Sequence, residues 1–249
     1  MKKIISLGFF VLAFCSLFAQ EKPDPITYGV KAGITFPQIL GGKVYVPSAG
    51  FFDIEEQSIT SFYVGGVVNI PIGVASFGGK MVLQPGLSFV GRGGQQVSMA
   101  TKSTIDAAAA QGKDLSGSFT IKETISYLEI PLNIITYYKV GSGKLFFGTG
   151  LYVGFALGGT RNKDYEGGLA VESQLVGYPI HTTEDLTFGS GKDFKSIDCG
   201  MNYLLGYELK NGFGIHVGGG IGLVNTNGAF GDKAKTHNMS LYTGLQYSF

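Results

Sequence analysis

Eight long stretches of alternating side chains constrain the fold of this chain more than any other feature. In residues 27–36, for example, every second residue is apolar, and small or polar residues lie between. This period of two places successive side chains on opposite faces of a β-strand. Strands of globular proteins usually have about five or six residues, whereas these segments have about ten or more, which is typical of membrane-crossing strands. The eight segments are residues 27–36, 61–70, 80–90, 124–138, 144–157, 194–208, 212–224 and 237–249.

One face of each segment is apolar or aromatic, and the other is small or polar. In residues 144–157, Leu145, Phe147 and Phe155 share a face that is opposite Gly148 and Gly154. A soluble lipocalin-like barrel, the alternative fold, would show an apolar interior and a polar exterior. Glycine supplies 40 of the 249 residues, and an eight-stranded barrel has an interior only wide enough for side chains. We therefore assign the apolar face to the outside.

The hydropathy of the chain agrees with a membrane location. Mean hydropathy is +0.20, yet no stretch after the N-terminal segment has the roughly 18 consecutive apolar residues of a membrane helix. A membrane-spanning chain without such helices must close into a barrel, in which every backbone donor finds a partner. The sequence predicts an all-β protein, an eight-stranded antiparallel transmembrane β-barrel.

The connections between the segments alternate in length, as the short periplasmic turns and longer extracellular loops of such barrels do. Residues 103–111 favour a brief helix in the second long connection. Pro85 and Pro131 fall inside predicted strands, where the missing N–H interrupts the ladder, so we expect bulges there. The connections are residues 37–60 (long), 71–79 (short), 91–123 (long), 139–143 (short), 158–193 (long), 209–211 (short) and 225–236 (medium).

The N-terminal segment, residues 1–20, has the pattern of a secretory signal peptide. Lys2 and Lys3 precede an apolar run that ends at Phe18, and the small residue Ala19 follows. An uncleaved anchor helix would need about 20 apolar residues, and a lipoprotein signal at Cys15 would need a smaller residue before it. We expect cleavage after residue 19 or 20, which leaves one barrel domain, residues 21–249.

Composition and motifs exclude several function classes. With 19 basic and 18 acidic residues the formal net charge is +1, so the charge balance gives no reason to expect a nucleic acid partner. The glycine-rich stretches 73–80 and 148–154 do not have the spacing or the strand-to-helix context of nucleotide-binding loops. Cys199 would be the single cysteine after cleavage, and it lacks metal-ligand spacing. We predict no cofactor and no metal.

Five charged or titratable residues fall on the inward face of the predicted strands. They could line an ion path, because charged groups inside a membrane span often mark one. In so narrow a barrel they are better interpreted as a structural polar network, whose members pair with one another to offset their desolvation. These residues are Lys31, Glu129, Asp198, Glu208 and His216.

An enzymatic role has little support in the sequence. His181 lies close to Glu184 and Asp185 in one predicted loop, and His237 begins the last strand. Acid–base catalysis would require a base within hydrogen-bond reach of a nucleophile or a water molecule, which sequence cannot establish. We predict a non-enzymatic protein.

Three segments resemble the PorT-like family of Bacteroidetes-type outer-membrane β-barrel proteins. They are residues 127–133 (YLEIPLN), 148–154 (GTGLYVG), and 194–200 (FKSIDCG) with the following 206–208 (GYE) and 220–225 (GIGLVN). The resemblance implies a barrel of the up-and-down OmpA/OmpX type in the bacterial outer membrane, and it implies that Pro131 is part of that barrel. It assigns no activity, although one namesake is linked to protein secretion.

The C-terminal strand is similar to the sorting signal that the barrel-assembly machinery reads. Leu241, Leu245, Tyr247 and Phe249 form its apolar face. We therefore expect outer-membrane lipid and this machinery as partners. A surface ligand or a secretion complex would bind the loops.

The functional prediction follows from the rigid barrel and its long loops, because binding residues concentrate on loops that a scaffold positions. We predict surface binding, a role in envelope integrity, or an accessory role in a secretion complex. The alternative is a narrow porin-like channel for small solutes, which would need a lumen not blocked by Tyr63, Tyr152 and Phe146.

Overall fold

The computed structural model describes residues 24–41, 44–46, 50–52, 54–75, 78–99, 114–171, 174–176, 180–228 and 235–249. The predicted signal segment, residues 1–20, and the predicted brief helix, residues 103–111, lie outside the described residues. No helix in the described ranges is long and apolar enough to cross a membrane.

The described chain forms strands of very different lengths. In chain order they are β1 (Thr27–Leu40), β2 (Val44–Val46), β3 (Gly50–Phe52), β4 (Ile54–Gln57), β5 (Ser61–Val74), β6 (Lys80–Met99), β7 (Asp114–Val140), β8 (Gly143–Val171), β9 (Gln174–Val176), β10 (Ile180–Asp185), β11 (Ile197–Glu208), β12 (Phe213–Gly222) and β13 (His237–Ser248).

Eight of these strands form a closed antiparallel ring. The order around it is β1, β5, β6, β7, β8, β11, β12 and β13, and β13 pairs again with β1. Strands that are neighbours along the ring are also neighbours in sequence, which is the up-and-down arrangement. The predicted eight-stranded antiparallel barrel is confirmed.

The two ends of the barrel differ. At the turn end lie the short connections, among them the two-residue turn after Val140 in which Gly141 has a φ of 58°. The backbone N–H of Phe249 donates to the carbonyl of Tyr28 at this same end. The longer connections all lie at the opposite, loop end. The predicted alternation of short and long connections is therefore present.

Strands β6, β7 and β8 continue far beyond the rim at the loop end. The β7–β8 ladder runs in antiparallel order from Val140↔Gly143 to Asp114↔Ala170, with one register shift between Ser126 and Tyr127. Beyond the ring, β4 pairs with the free edge of β6, and β10 pairs with the free edge of β8. We call this five-stranded extension the wall. Residues 91–123 and 158–193 were predicted to be loops, and this prediction is wrong where they pair as strands. There, adjacent strands of the extension hydrogen-bond to each other although they lie beyond the ring.

Side-chain exposure follows the predicted faces. Tyr28, Ile34, Leu151, Ile215 and Leu245 are exposed on the outside. The alternating partners on the inside are buried and include charged side chains. An apolar exterior with a polar interior is the reverse of the arrangement in a soluble barrel.

Aromatic rings account for many of the inward glycines. The ring of Tyr152 occupies the space of a Cβ on Gly200 of the next strand, and the ring of Phe146 does so at Gly206. Adding a methyl group at either glycine would force it into a ring or a backbone carbonyl. Glycine is thus needed where a large ring lies against the neighbouring strand. This local contact explains the inward glycines better than the narrow interior does.

The expected bulges at Pro85 and Pro131 do not occur. The β6–β7 ladder omits the positions around Pro131 but resumes in the same register, with Pro85↔Leu132 followed by Ser88↔Glu129. Pro131 packs against Gly86, which leaves room for its ring. Register shifts occur instead between Pro71 and Gly73 in β5 and between Ser126 and Tyr127 in β7.

Candidate functional site

The interior is built of stacked layers, and the first at the turn end is polar. Glu208 of β11 accepts hydrogen bonds from Lys144 (3.1 Å), Gln246 (3.1 Å) and Ser248 (3.0 Å). Around this carboxylate the barrel opens into a cavity of about 850 Å³ at the turn end. The mouth is lined by further lysines, among them Lys139 and Lys210.

An apolar layer follows, which we call the inner layer. Ile135, Phe146 and Leu204 bury their side chains against one another, and Tyr137 packs on them from the turn end. Ile135 and Phe146 have no exposed surface. Tyr137 lines the cavity at the turn end and Leu204 lines the chamber at the centre of the barrel, so this layer lies between the two.

The centre of the barrel is a polar chamber of about 70 Å³. Lys31 donates to Gln84 Oε1 (2.6 Å), and Gln84 donates to Asn69 (2.6 Å). The hydroxyl of Tyr63 is hydrogen-bonded to His216 Nε2. These contacts join β1, β5, β6 and β12 across the lumen.

A charged layer lies on the loop side of the chamber. Arg92 and Glu129 form an ion pair in which both side chains are buried. The guanidinium of Arg92 also lies over the ring of Tyr152, 4.5 Å from its centroid. Asp198 accepts hydrogen bonds from Tyr152 (3.1 Å) and from Asn238 (2.9 Å).

A second apolar layer, the outer layer, covers the charged layer at the loop end. It consists of Ile39, Ile125, Tyr127, Leu186 and Phe194, each 0–6% exposed. The last two belong to a segment of residues 186–196, the strap, that crosses the mouth of the barrel between β10 and β11.

Polar contacts hold the strap in place. Arg161 of the wall binds Asp193 of the strap (2.9 Å) and Glu123 of β7 (2.7 Å). The second oxygen of Asp193 accepts from the backbone N–H (2.9 Å) and the hydroxyl (2.6 Å) of Thr187. Burial works to raise the pKa of Asp193, but the hydrogen bonds from Thr187 and Arg161 outweigh it and lower that pKa to about 2.

The comparison with protein families is decisive at this point. A model of the outer membrane protein beta-barrel domain matches residues 18–228. The chain belongs to this family. It is therefore a protein of the bacterial outer membrane. In such barrels the short turns face the periplasm and the long loops face the outside, so the turn end is periplasmic and the wall and strap are extracellular.

Three solved structures resemble this outer-membrane barrel. Neisserial surface protein A has 10% sequence identity and a TM-score of 0.37, with 91% of this chain and 100% of that chain covered. Ail of Yersinia pestis, in complex with the heparin analogue sucrose octasulfate, has 8% identity and a TM-score of 0.32, with 91% and 100% covered. The outer membrane protease OmpT of Escherichia coli has 12% identity and a TM-score of 0.31, with 93% and 99% covered. No curated protein matches this chain. At these scores the structures carry no argument about activity.

All five predicted network residues lie inside the barrel of this outer-membrane protein, but they do not bond one another. The partners are Gln84 for Lys31, Arg92 for Glu129, Tyr152 and Asn238 for Asp198, Lys144, Gln246 and Ser248 for Glu208, and Tyr63 for His216. The expectation of mutual pairing is therefore wrong. Some partners lie on an adjacent strand, as Arg92 of β6 does for Glu129 of β7, and others lie across the lumen, as Tyr63 of β5 does for His216 of β12.

Arg92 is the interior residue that the sequence analysis missed. The predicted strand 80–90 ended two positions before it, so Arg92 was assigned to a loop. In that strand Gln84 and Ser88 occupy alternate positions on the small or polar face. Continuing that alternation from Ser88 through Val90 to position 92 would have placed the arginine in the lumen.

The histidines considered for hydrolysis have other surroundings. His181 Nδ1 lies 2.7 Å from Asp164 in the wall, and Glu184 is paired instead with Lys163 (2.7 Å). His237 has a buried Nδ1 without a hydrogen-bond partner among the described residues. Across the described part of the chain, no group of three or more His, Cys, Asp or Glu residues could hold a metal.

The C-terminal residues of the predicted assembly signal lie on the outer surface. Leu241, Leu245 and Phe249 are exposed, and Tyr247 packs against Phe213 and Phe249 with centroid distances of 4.8 Å and 5.0 Å. Their use by the assembly machinery remains a prediction.

Proposed function

We propose that this outer-membrane barrel is a closed, non-enzymatic scaffold that acts through its extracellular wall and strap. Its role would be surface binding, support of envelope integrity, or, as the resemblance to PorT-like proteins suggests, an accessory role in a protein-secretion complex. The observation that carries the proposal is the pair of buried apolar layers, one on each side of the polar chamber.

The inner and outer layers argue against a steady solute path. Their side chains are almost fully buried, and hydrophobic constrictions stop ions by excluding water. The polar chamber between them is more than tenfold smaller than the cavity at the periplasmic mouth.

The wall supplies the surface that a binding role requires. β7 and β8 are 27 and 29 residues long and pair along nearly their whole lengths, whereas a membrane-crossing strand needs only about 9–11 residues. The surplus lies outside the membrane and is stiffened by β4 and β10. A stiff extension presents its side chains to a partner with little loss of conformational entropy on binding.

A narrow channel is the second candidate, because charged residues in the lumen favour it. Arg92, Glu129, Asp198 and Lys31 would line a path if both apolar layers moved aside. Planar bilayer recordings separate the candidates. The closed scaffold predicts no steady open state for the purified barrel, and a reproducible unitary conductance would favour the channel.

Complementation of a strain that lacks the protein tests the role of the wall. The variant removes residues 114–117 together with 167–170, which are paired rungs of the β7–β8 ladder, so the remaining register is kept. A barrel that acts through its wall would lose the ability to restore detergent resistance or secretion. Full complementation by this shortened protein, with normal amounts in the membrane, would contradict the proposal.

A further inference from the structure

The periplasmic mouth of the barrel carries four lysines, which we call the lysine arc. Each stands at the periplasmic end of a different strand or in the turn just after it, and these strands, β6, β7, β8 and β11, are consecutive around the ring. All four residues line the cavity of about 850 Å³. Among the described residues of β12, β13, β1 and β5, none adds a basic side chain to that lining. The arc consists of Lys80, Lys139, Lys144 and Lys210.

The acidic side chains of the cavity pair with only half of the arc. Asp24 binds Lys80 at 2.6 Å, and Glu208 binds Lys144 at 3.1 Å. Within the described ranges, the other two lysines of the arc form no ion pair. The mouth therefore holds two positive charges that have no counter-charge in contact with them.

The register of the strands brings two lysines of the arc face to face. Lys139 and Lys144 are direct partners in the β7–β8 ladder, and like charges directly opposite each other destabilise an antiparallel pair. Glu208 pairs with Lys144 from the other side, in the β8–β11 ladder. A carboxylate held between Lys139 and Lys144 would relieve the repulsion between them.

We propose that the lysine arc is a docking site for an extended, acidic peptide segment of a periplasmic partner. Neighbouring strands lie about 4.8 Å apart, so an arc over three such spacings is roughly 14 Å long. In an extended peptide, alternate side chains share one side and are about 6.6–6.8 Å apart. Five residues with carboxylates at alternate positions therefore match the length of the arc. The cavity volume of about 850 Å³ is within the usual range for ligand sites.

The position of the arc favours a peptide over the headgroups of membrane lipids. Its residues line the lumen, and the Nζ of Lys144 lies 5.6 Å from the centroid of the inward Tyr137 ring. The next side chain of β8, Leu145, is on the exposed outer surface. A phospholipid keeps its acyl chains outside the ring, so its phosphate would have to pass over the rim to reach the arc. A small free anion could contact two neighbouring lysines but could not span all four.

Binding of a labelled peptide with alternating aspartate and serine residues tests the site by fluorescence anisotropy. The folded barrel is held in nanodiscs of neutral lipid. The variant Lys139→Gln with Lys210→Gln removes the two lysines that form no ion pair within the described ranges. We expect it to bind about tenfold more weakly, because each exposed ion pair contributes modestly, and we expect salt to weaken binding to the unaltered protein.

The matched control removes the same charge from the other end of the barrel. Lys192→Gln with Lys195→Gln changes two exposed lysines of the extracellular strap and should bind the peptide as the unaltered protein does. Heat-dependent gel migration shows that each variant is folded. Because the arc lies opposite the wall, this test is independent of the proposed role of the wall.

A second measurement locates the peptide on the unaltered protein. A carbodiimide joins the peptide carboxylates to nearby lysine amines, and mass spectrometry identifies the linked residues. Links at Lys139 or Lys210, with weaker binding only in the variant of the arc, support the proposal. Absence of binding, equal affinity of the two double variants, or links confined to the strap overturns it. Loss of peptide binding when the nanodisc contains phosphatidylglycerol, or equally tight binding of inorganic phosphate, overturns it in favour of a lipid headgroup or a free anion.

Discussion

Arg92 and Glu129 bury their charges almost completely, with side-chain exposures of 2% and 8%. Asp198 and Tyr152 surround the same guanidinium. The ion pair links β6 to β7 at the level where the extracellular half of the barrel begins. Breaking it would therefore affect the centre of the structure, not its surface.

Removing one partner of this pair would leave the charge of the other buried without a counter-charge. We expect Arg92→Met and Glu129→Gln each to lower the free energy of unfolding by about 3–5 kcal/mol, because an unpaired buried charge remains. The double variant should lose less than the sum of the two. Urea unfolding from lipid vesicles measures all three, and strictly additive losses would contradict a direct coupling.

A second prediction at the scale of residues concerns the glycines that lie against aromatic rings. In Gly206→Ala the new methyl group would overlap the Phe146 ring and the carbonyl of Ile215, so we expect a loss of about 1–3 kcal/mol, as for other overpacked sites.

The matched control is Gly66→Ala on the lipid-facing surface. There a Cβ would meet only the carbonyl of Gly29 at 3.9 Å, so stability should not fall. The same unfolding assay compares the two variants. Equal losses at both positions would mean that strand propensity, not the ring contact, makes glycine necessary.

At the scale of elements, the strap lies between β10 and β11 and belongs to neither strand. Arg161 connects it to the wall through Asp193, and Leu186 and Phe194 anchor it in the outer layer. Local segments of this kind open before the whole protein unfolds. The strap therefore determines how readily the extracellular end of the barrel loosens.

Arg161→Ala should release the strap. We expect faster tryptic cleavage at Lys192 and Lys195, two exposed strap residues, because Asp193 loses its contact with the wall. The control Lys163→Ala removes the neighbouring ion pair with Glu184 and should leave cleavage unchanged. Equal acceleration in both variants would assign the effect to the wall in general.

The pH dependence of the strap follows from Asp193. Its pKa is lowered from 3.8 to about 2, so the ionised carboxylate stabilises the strap above about pH 3.8, and this contribution is lost as the pH falls through about 2. The Thr187 amide, which donates to Asp193, should show an NMR titration with a midpoint near 2. A midpoint near 3.8 would show that these hydrogen bonds do not favour the charged form.

At the scale of the whole molecule, the two apolar layers act in series. The inner layer is truncated by Phe146→Ala with Leu204→Ala, and the outer layer by Leu186→Ala with Phe194→Ala. If either layer alone is sufficient to block ions, as the proposed closed scaffold requires, each double variant gives no steady current in planar bilayers. The combined quadruple variant should conduct.

Each outcome of this series has a clear meaning. Conductance after truncation of one layer alone would show that the other layer does not close the lumen. Heat-dependent gel migration provides the folding control, since a closed barrel shifts in apparent size only after boiling. A silent quadruple variant that keeps this shift would contradict the role of the two layers.

Much of the fold could be predicted because alternation is a local property of the sequence. The eight barrel strands and their lipid-facing sides were predicted correctly, since a period of two fixes the face of every residue once one face is assigned. The candidate site was predicted only in part. Lys31, Glu129, Asp198, Glu208 and His216 were placed inward, whereas Arg92 was missed and all of the partners were unknown.

The sequence by itself determined that this chain crosses the membrane as a barrel and which side chains face lipid. The physical reason is that exported strands with one apolar face can satisfy their backbone groups in a bilayer only by closing. The tertiary structure alone decided the packing of the two apolar layers, the wall and the partner of each buried charge. Those contacts join residues far apart in the chain, such as Tyr63 and His216, 153 positions apart, and only the register of the closed ring brings them together.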